Sequence, residues 1–368
     1  MTPALVDLLE DSGLTGRGGA GFGTAVKVRA AVSAGATLIV NGCDGEYGAV
    51  KDGYVVAHHL DELVHGANLL GRNGIRYAAH RGSRTESLLR AAGLDVLSVP
   101  QRYVSSEESA LVSLANGGLA RPMTKRVPVV FGSTAPDGRS LPPTVVLNAE
   151  TVWRVAQIAD RGPAWFRSFG TADEPGPRLA SVSGAVLAPG VVETAAGVGV
   201  GDVISAAGGA ARSPGGVGLG GLSGGWLSPA EADGAVWSRA ALAAYGFTPG
   251  PGTVHVLGED ECPLQHVSTV LDQAAGESAG QCGPCMFGVP AAAEDFSLLS
   301  AARLDQGGWQ RLREGLGLLP GRGACRFPDG VAGYARSALR AFTGEVDAHL
   351  AGGCSVTYAP RRAHAVAV

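Results

Sequence analysis

Gly13-Leu14-Thr15-Gly16-Arg17-Gly18-Gly19-Ala20-Gly21-Phe22 decides how the first half of the chain is read. Gly16, Gly18 and Gly21 spell G-x-G-x-x-G, but the context of a dinucleotide-binding turn is missing. That turn follows a strand, whereas here a helical segment, Leu5–Leu9, comes before it, and the acid-bearing loop at Asp44 follows a strand instead. What the stretch retains is its physics. A turn without Cβ atoms, opening into a helix from about Thr24, aims backbone N–H groups and a positive helix end at an anion. Lys27 lies one turn into that helix and Arg17 sits within the loop. The alternative is a flexible turn carrying two solvated cations.

Outward from this loop, apolar strand candidates alternate with amphipathic helix candidates. Thr37–Asn41, Ile75–His80 and Leu94–Pro100 read as strands, and Leu60, Leu63, Val64, Ala67 and Leu70 recur at helical spacing. Alternation of this kind predicts an α/β domain over residues 1–172. After the Pro/Gly-rich Glu174–Pro177, two short strands, a helix and further strand predict a small α+β module over 173–230. Ser213–Gly225 is dense enough in glycine to be either a mobile linker or, anchored by Leu219, Leu222 and Trp226, a last strand. Val331, Tyr334, Ala338, Phe342 and Val346 repeat at helical spacing, so 255–352 should be a helical bundle.

Composition narrows the function classes. The chain has 368 residues, enough for two or three domains, and a net charge of −4 without long runs of one sign. A nucleic-acid surface is not indicated. The longest uncharged stretches are broken by Pro189 and many glycines, so no membrane span is expected. Asp7, Glu10 and Asp11 stand where a signal peptide would be basic and apolar, which suggests a cytoplasmic protein. Six cysteines are too few for a disulfide scaffold. Cys282-Gly-Pro-Cys285, with Cys325 further on, points to metal, cluster or redox chemistry. Zinc or a thioredoxin-like pair are the alternatives, but no histidine has the usual zinc spacing and no βαβ unit adjoins the motif.

Several motifs in one order resemble the flavoprotein subunit of respiratory complex I and its soluble relatives. The glycine stretch is followed by Asn41-Gly-Cys-Asp-Gly-Glu-Tyr-Gly48 with Lys51-Asp52. Tyr103–Leu111 is similar to that family's Y-I/V-C-G-E-E-T-A-L, Val145–Thr151 to its V-V-N-N-V-E-T, and Glu277–Cys285 to its E-S-C-G-x-C-x-P-C. The resemblance implies an FMN-binding α/β domain, a small ubiquitin-like (β-grasp, SLBB-type) module and a C-terminal helical bundle carrying an iron–sulfur site. Carried over by position, it implies FMN contacts from Gly16, Arg17, Gly18, Gly19, Lys27, Asn41, Asp44, Tyr103, Glu107 and Asn148. Phe22 and Lys125 remain as candidate nucleotide contacts, and Glu46 and Glu108 would face NADH as catalytic residues. Residue by residue, Ser105 and Glu108 also read as a capping box, Asn148 as a helix cap and Tyr103 as ordinary core. Cys43 reads as a small buried thiol or as a residue that tunes the flavin.

The resemblance further implies that Cys282, Cys285 and Cys325 are three ligands of a 4Fe-4S cluster. The family's remaining cysteine falls at Ala279. Cys262, Cys354 or Ser278 could substitute, a non-protein ligand could complete the set, a three-iron cluster could form, or the site could be empty. Ser106 replaces a family glycine, Leu147 replaces an asparagine, and Ala30 and Pro128 stand where aromatic rings usually meet adenine. The expected function is therefore an NADH dehydrogenase-type subunit passing electrons through FMN and a cluster to a ferredoxin-like or other redox subunit. A hetero-oligomer is expected, with a place at the periphery of a membrane-attached complex left open. The alternative is a flavin-carrying scaffold that no longer oxidises nicotinamide nucleotides.

Overall fold

The computed structural model describes residues 3–124, 127–135 and 137–356, so Lys125 lies outside the described residues. Near the N-terminus, β1 (Thr37–Asn41), β2 (Ile75–His80), β3 (Val96–Val99) and β4 (Thr144–Asn148) form a sheet in the order β3-β2-β1-β4. All three pairings are parallel. Parallel neighbours need crossovers, which the helices between the strands supply. Leu38, Ile39 and Val40 are all buried, as a central strand covered on both faces requires. The Ala149–Arg161 helix continues directly from β4, buries Val152, Trp153, Val155 and Ile158 in the main core, and packs on the Leu60–Leu70 helix.

The second sheet contains β5 (Pro177–Gly184), β6 (Gly190–Ala195), β7 (Pro214–Leu219), β8 (Gly225–Leu227) and β9 (Thr253–Gly258), ordered β8-β7-β9-β5-β6. β9 runs parallel to β5 and every other pair is antiparallel. Counted within the module the order is 4-3-5-1-2, the ubiquitin-like arrangement. The Ser213–Gly225 region resolves into β7, a short helical turn at Gly221–Ser223 and the start of β8, with Val217 and Leu219 buried in the module's core. The central strand, β9, arrives only after residue 230, so the module's sheet extends past the expected 173–230 window.

The C-terminal bundle comprises helices Pro263–Glu277, Val289–Ser300, Gln306–Leu318, Phe327–Ala341 and Thr343–Leu350. Leu222, fully buried, reaches from the module into the bundle core and contributes about 1.5–3 kcal/mol by leaving water. No helix among the described residues is long and apolar enough to cross a membrane.

Candidate functional site

Asn41 and Asn148 are cross-strand partners at the carboxyl ends of β1 and β4. Ligands of parallel α/β sheets bind beyond this edge, and a cleft of about 450 Å³ opens there. Its wall comes from all three units. The first domain supplies Gly16, Gly18, Phe22, Lys27, Asn41, Asp44, Glu46, Tyr103, Glu107, Glu108 and Asn148; the module adds Ser223 and Pro251; the bundle adds Cys325, Arg326, Phe327 and Gly330.

The glycine stretch closes as a short ladder. Gly16 N–H donates to Phe22 O at 2.8 Å and Thr24 N–H to Leu14 O at 2.9 Å, after which the Thr24–Ala34 helix begins. Lys27, on its first turn, holds Glu108 Oε1 at 2.8 Å and reaches the Val146 carbonyl at 3.5 Å. Phe22 is 51% exposed and lies at the cleft's lip, an aromatic face with little protein packed on it.

Two expected contacts lie elsewhere. The Arg17 guanidinium turns away from the cleft and donates to the carbonyls of Pro175 and Pro177 at 3.0 and 3.2 Å. Burial, then the nearby Arg178, lower it to about 9, so its role is to pin the loop to the start of the module. Its backbone N–H is also committed, to Thr151 Oγ1 at 2.8 Å. Gly19 does not line the cleft. It sits at φ +100°, where an added Cβ would lie 3.2 Å from the backbone of Gly250, and its carbonyl accepts from Arg239 at 2.8 Å. Gly19 permits close approach of the module rather than of a ligand.

The remaining polar groups hold one another in place. Asn41 donates to Ser106 O at 3.0 Å and accepts from Cys43 N–H at 3.1 Å. Asn148 donates to Asp52 Oδ1 at 3.0 Å and accepts from Thr151. It starts the following helix without a side-chain cap bond. Ser105 does not cap the Glu108–Ala115 helix either. That role falls to Glu107, whose carboxylate accepts from the N–H groups of Ser109 and Ala110. The Ser106 hydroxyl folds back onto Tyr103 O at 3.1 Å, where only a glycine at position 45 leaves room: a Cβ there would lie 1.9 Å from it. Cys43 is buried in an apolar cluster with Ile39 and Ala78, and burial, then Asp44, push its thiol far up.

Glu46 is the most tightly held acid of the cleft. It accepts from Tyr47 N–H (3.0 Å), Leu222 N–H (2.7 Å), Tyr103 Oη (2.8 Å) and Ser223 N–H (3.3 Å). Burial raises its pKa despite these donors. Tyr103, kept protonated by burial and by Glu46, stacks on Tyr47 with centroids 5.5 Å apart, and its backbone N–H donates to Glu277 at 2.8 Å. The tyrosine thus ties the cleft to the bundle just ahead of the thiols.

Asp44 occupies the left-handed region at φ +49°, which aspartate tolerates better than most residues. Its carboxylate accepts from Asp52 N–H (2.9 Å) and Gly53 N–H (2.6 Å) at the start of the Lys51–His58 helix. Burial, then Asp52, raise it to about 7. Its folded value exceeds the unfolded one, so the stability it contributes to the flavin-free chain is lost as pH rises from about 4 to about 7. Asp44→Asn should flatten that slope, measured by denaturant titration at about pH 5 and about pH 8. An unchanged slope would place the titration elsewhere.

The thiols converge from two segments. Cys285 lies in the turn Pro284–Gly288 and accepts from the Ala279 N–H, while Cys282 and Cys325 act on it electrostatically. Burial, then Cys282, push the Cys285 thiol to about 12. Cys325 also lines the cleft and acts on Tyr103, so the thiol set touches the cleft wall. Ala279 adjoins the set without a ligating atom. Cys262 and Cys354 are not its replacement: they lie against each other and against Glu345 and His349.

Sequence reasoning missed Asp52, Ser223, Pro251 and Arg326 as parts of the cleft or its frame. Asp52 carried a signal, as the acid beside Lys51 just after the Asn41–Gly48 motif. The other three come from distant segments and carry no local mark.

The chain matches the Nuo51 FMN-binding domain over residues 9–157 and the NADH-ubiquinone oxidoreductase F iron–sulfur binding region over residues 265–349. It is 28% identical to the F 2 subunit of the NADH-quinone oxidoreductase of Rhizobium meliloti, covering 94% of this chain and 88% of that protein. It is also 28% identical to the NADP-reducing hydrogenase subunit HndC of Solidesulfovibrio fructosivorans, covering 95% and 77%. A crystal structure of an NAD+-reducing NiFe hydrogenase in the H2-reduced state superposes with a TM-score of 0.81 at 29% identity; the match covers 94% of this chain and 62% of the hydrogenase chain.

Proposed function

Since the chain belongs to the family defined by the Nuo51 FMN-binding domain and the oxidoreductase F iron–sulfur region, we propose that the cleft binds FMN, accepts electrons from a nicotinamide nucleotide at its mouth and releases them through the three thiols. The observation that carries this reading is that Cys325 belongs both to the cleft wall and to the thiol set.

The residues present fit the flavin. A volume of about 450 Å³ lies in the range of small-ligand sites. Gly16 and Gly18 leave one end bare of side chains. Lys27, paired with Glu108, adds a cation to the wall, and Asn41 and Asn148 give the strand edge a polar rim. FMN in this position supplies the conversion of a two-electron hydride donor into single electrons. The chain's own work is to hold its phosphate with Lys27 and the turn, to orient the ring with the asparagines, and to keep Glu46 and Tyr103 fixed in the cleft wall. Phe22 offers the face on which a nucleotide base can stack. The three thiols are the donor type that an iron–sulfur cluster takes, and Ala279 leaves the fourth place without a protein sulfur. A redox protein partner would take the electrons, in keeping with relatives whose names mark them as subunits.

Lys27→Met should weaken FMN binding about 10- to 100-fold, because a charge-assisted bond worth about 1.5–3 kcal/mol is lost and Glu108 loses its partner beside the phosphate. Quenching of flavin fluorescence reads this directly, and unchanged affinity would remove Lys27 from the phosphate site. The function itself is tested by anaerobic NADH titration of the purified chain. Bleaching of the flavin band supports it. A fully FMN-loaded protein that NADH does not bleach favours the electron-carrying scaffold, the reading to which Ala30 and Pro128 point.

A further inference from the structure

We propose that Cys262, Glu345, His349 and Cys354 form a zinc site that clasps the end of the bundle, separate from the three thiols at the cleft. One ligand atom from each of the four lies within 4.8 Å of the others. Tetrahedral zinc with bonds of about 2.0–2.3 Å places its ligands roughly 3.3–3.8 Å apart. Here Cys262 Sγ is 3.5 Å from His349 Nε2 and 3.9 Å from Glu345 Oε1. Two sulfurs, an imidazole and a carboxylate make a donor set that favours zinc over harder cations.

The fold prepares each donor. Cys262 is the residue before the Pro263–Glu277 helix, close after β9. Glu345 and His349 stand one turn apart on the Thr343–Leu350 helix. His349 Nδ1 lies 3.0 Å from the Leu299 carbonyl, which fixes the proton on that nitrogen and leaves the Nε2 lone pair facing the cluster. Glu345 is oriented by Ser355, whose N–H lies 3.1 Å from Oε1 and whose hydroxyl bonds Oε2. With the Nδ1 proton in place, the 2.9 Å approach of Nε2 to Glu345 Oε1 sets a lone pair against a carboxylate, a contact that needs a second proton or a cation between them. Burial raises Cys262, and burial, then Glu345, raise Cys354 to about 12. Zinc would displace those thiol protons. Cys262, Glu345 and His349 are buried while Cys354 is exposed, so three donors wait in the core and the fourth closes the site from outside.

The test is metal analysis of the full chain, purified anaerobically and dialysed against zinc and then against metal-free buffer. About one zinc per chain is expected in the wild type, with its loss in Cys354→Ser while iron and flavin contents stay unchanged. Because Cys354 is exposed, this variant does not disturb the core. As a second measurement, cobalt in place of zinc should give thiolate-to-metal absorption in the wild type that weakens in Cys354→Ser and in His349→Ala. Wild-type protein that retains no zinc and shows no cobalt–thiolate band would overturn the proposal, as would zinc held equally well by Cys354→Ser.

Discussion

Cys285→Ala is expected to yield a yellow protein whose flavin band NADH still bleaches but which delivers no electrons to a protein acceptor. The variant removes the most buried of the three thiols, the one toward which the Ala279 N–H points. Thiolates are the ligands such iron requires, and with Ala279 already lacking a sulfur the set cannot spare another. Iron content should fall to near zero. Cys285 does not line the cleft, so flavin content should be unaffected. Delivery at the wild-type rate would mean that electrons leave by some other route.

Lys51→Met should be the most damaging substitution for folding, costing about 3–5 kcal/mol, because it leaves buried carboxylates without their cation. The Lys51 ammonium is 1% exposed and lies 2.9 Å from Asp52 Oδ2 and 3.0 Å from Glu150 Oε2. Burial alone would lower its pKa, but Asp52, Glu150 and Asp44 prevail and hold it above the usual lysine range. For Glu150 the balance is the mirror image. Burial raises its carboxyl, yet Lys51, Arg154 and Arg17 bring it below the ordinary value. The same carboxylates carry structure outward. Asp52 Oδ1 accepts from Asn148 and from Glu150 N–H, and Glu150 Oε1 accepts from Leu179 N–H at 2.7 Å on the module's first strand. The loss should therefore appear both in the denaturation midpoint and in weaker FMN binding. Adding Glu150→Gln should recover part of the stability by removing a buried charge that only Arg154, at 4.0 Å, and Arg17 would still offset. A Lys51→Met protein within about 1 kcal/mol of wild type would show the cluster to be solvated.

The parts legible in the sequence are those whose cause is local. Leu38, Ile39 and Val40 make an unbroken apolar run, and such a run needs two covered faces. The turn before Thr24 has glycines where backbone must lie bare. Arg17 misleads because its partners, the carbonyls of Pro175 and Pro177, lie far along the chain, and a cation in a glycine loop looks the same whether it faces an anion or a carbonyl. Gly19 misleads in the same way: its freedom serves the approach of Gly250. At the Glu108–Ala115 helix, Ser105 and Glu107 are both competent caps, and the short turn Tyr103–Ser106 presents Glu107 instead. The grouping of Cys262 with Glu345, His349 and Cys354 depends on how two ends of the bundle pack, which no spacing rule conveys.

Electron paramagnetic resonance of the anaerobic protein after mixing with NADH tests the junction of cleft and thiols most directly. Loss of the flavin band should be accompanied by an iron–sulfur signal within the same chain, without added partner. A bleached flavin beside iron–sulfur centres that stay silent in protein of full iron content would contradict it.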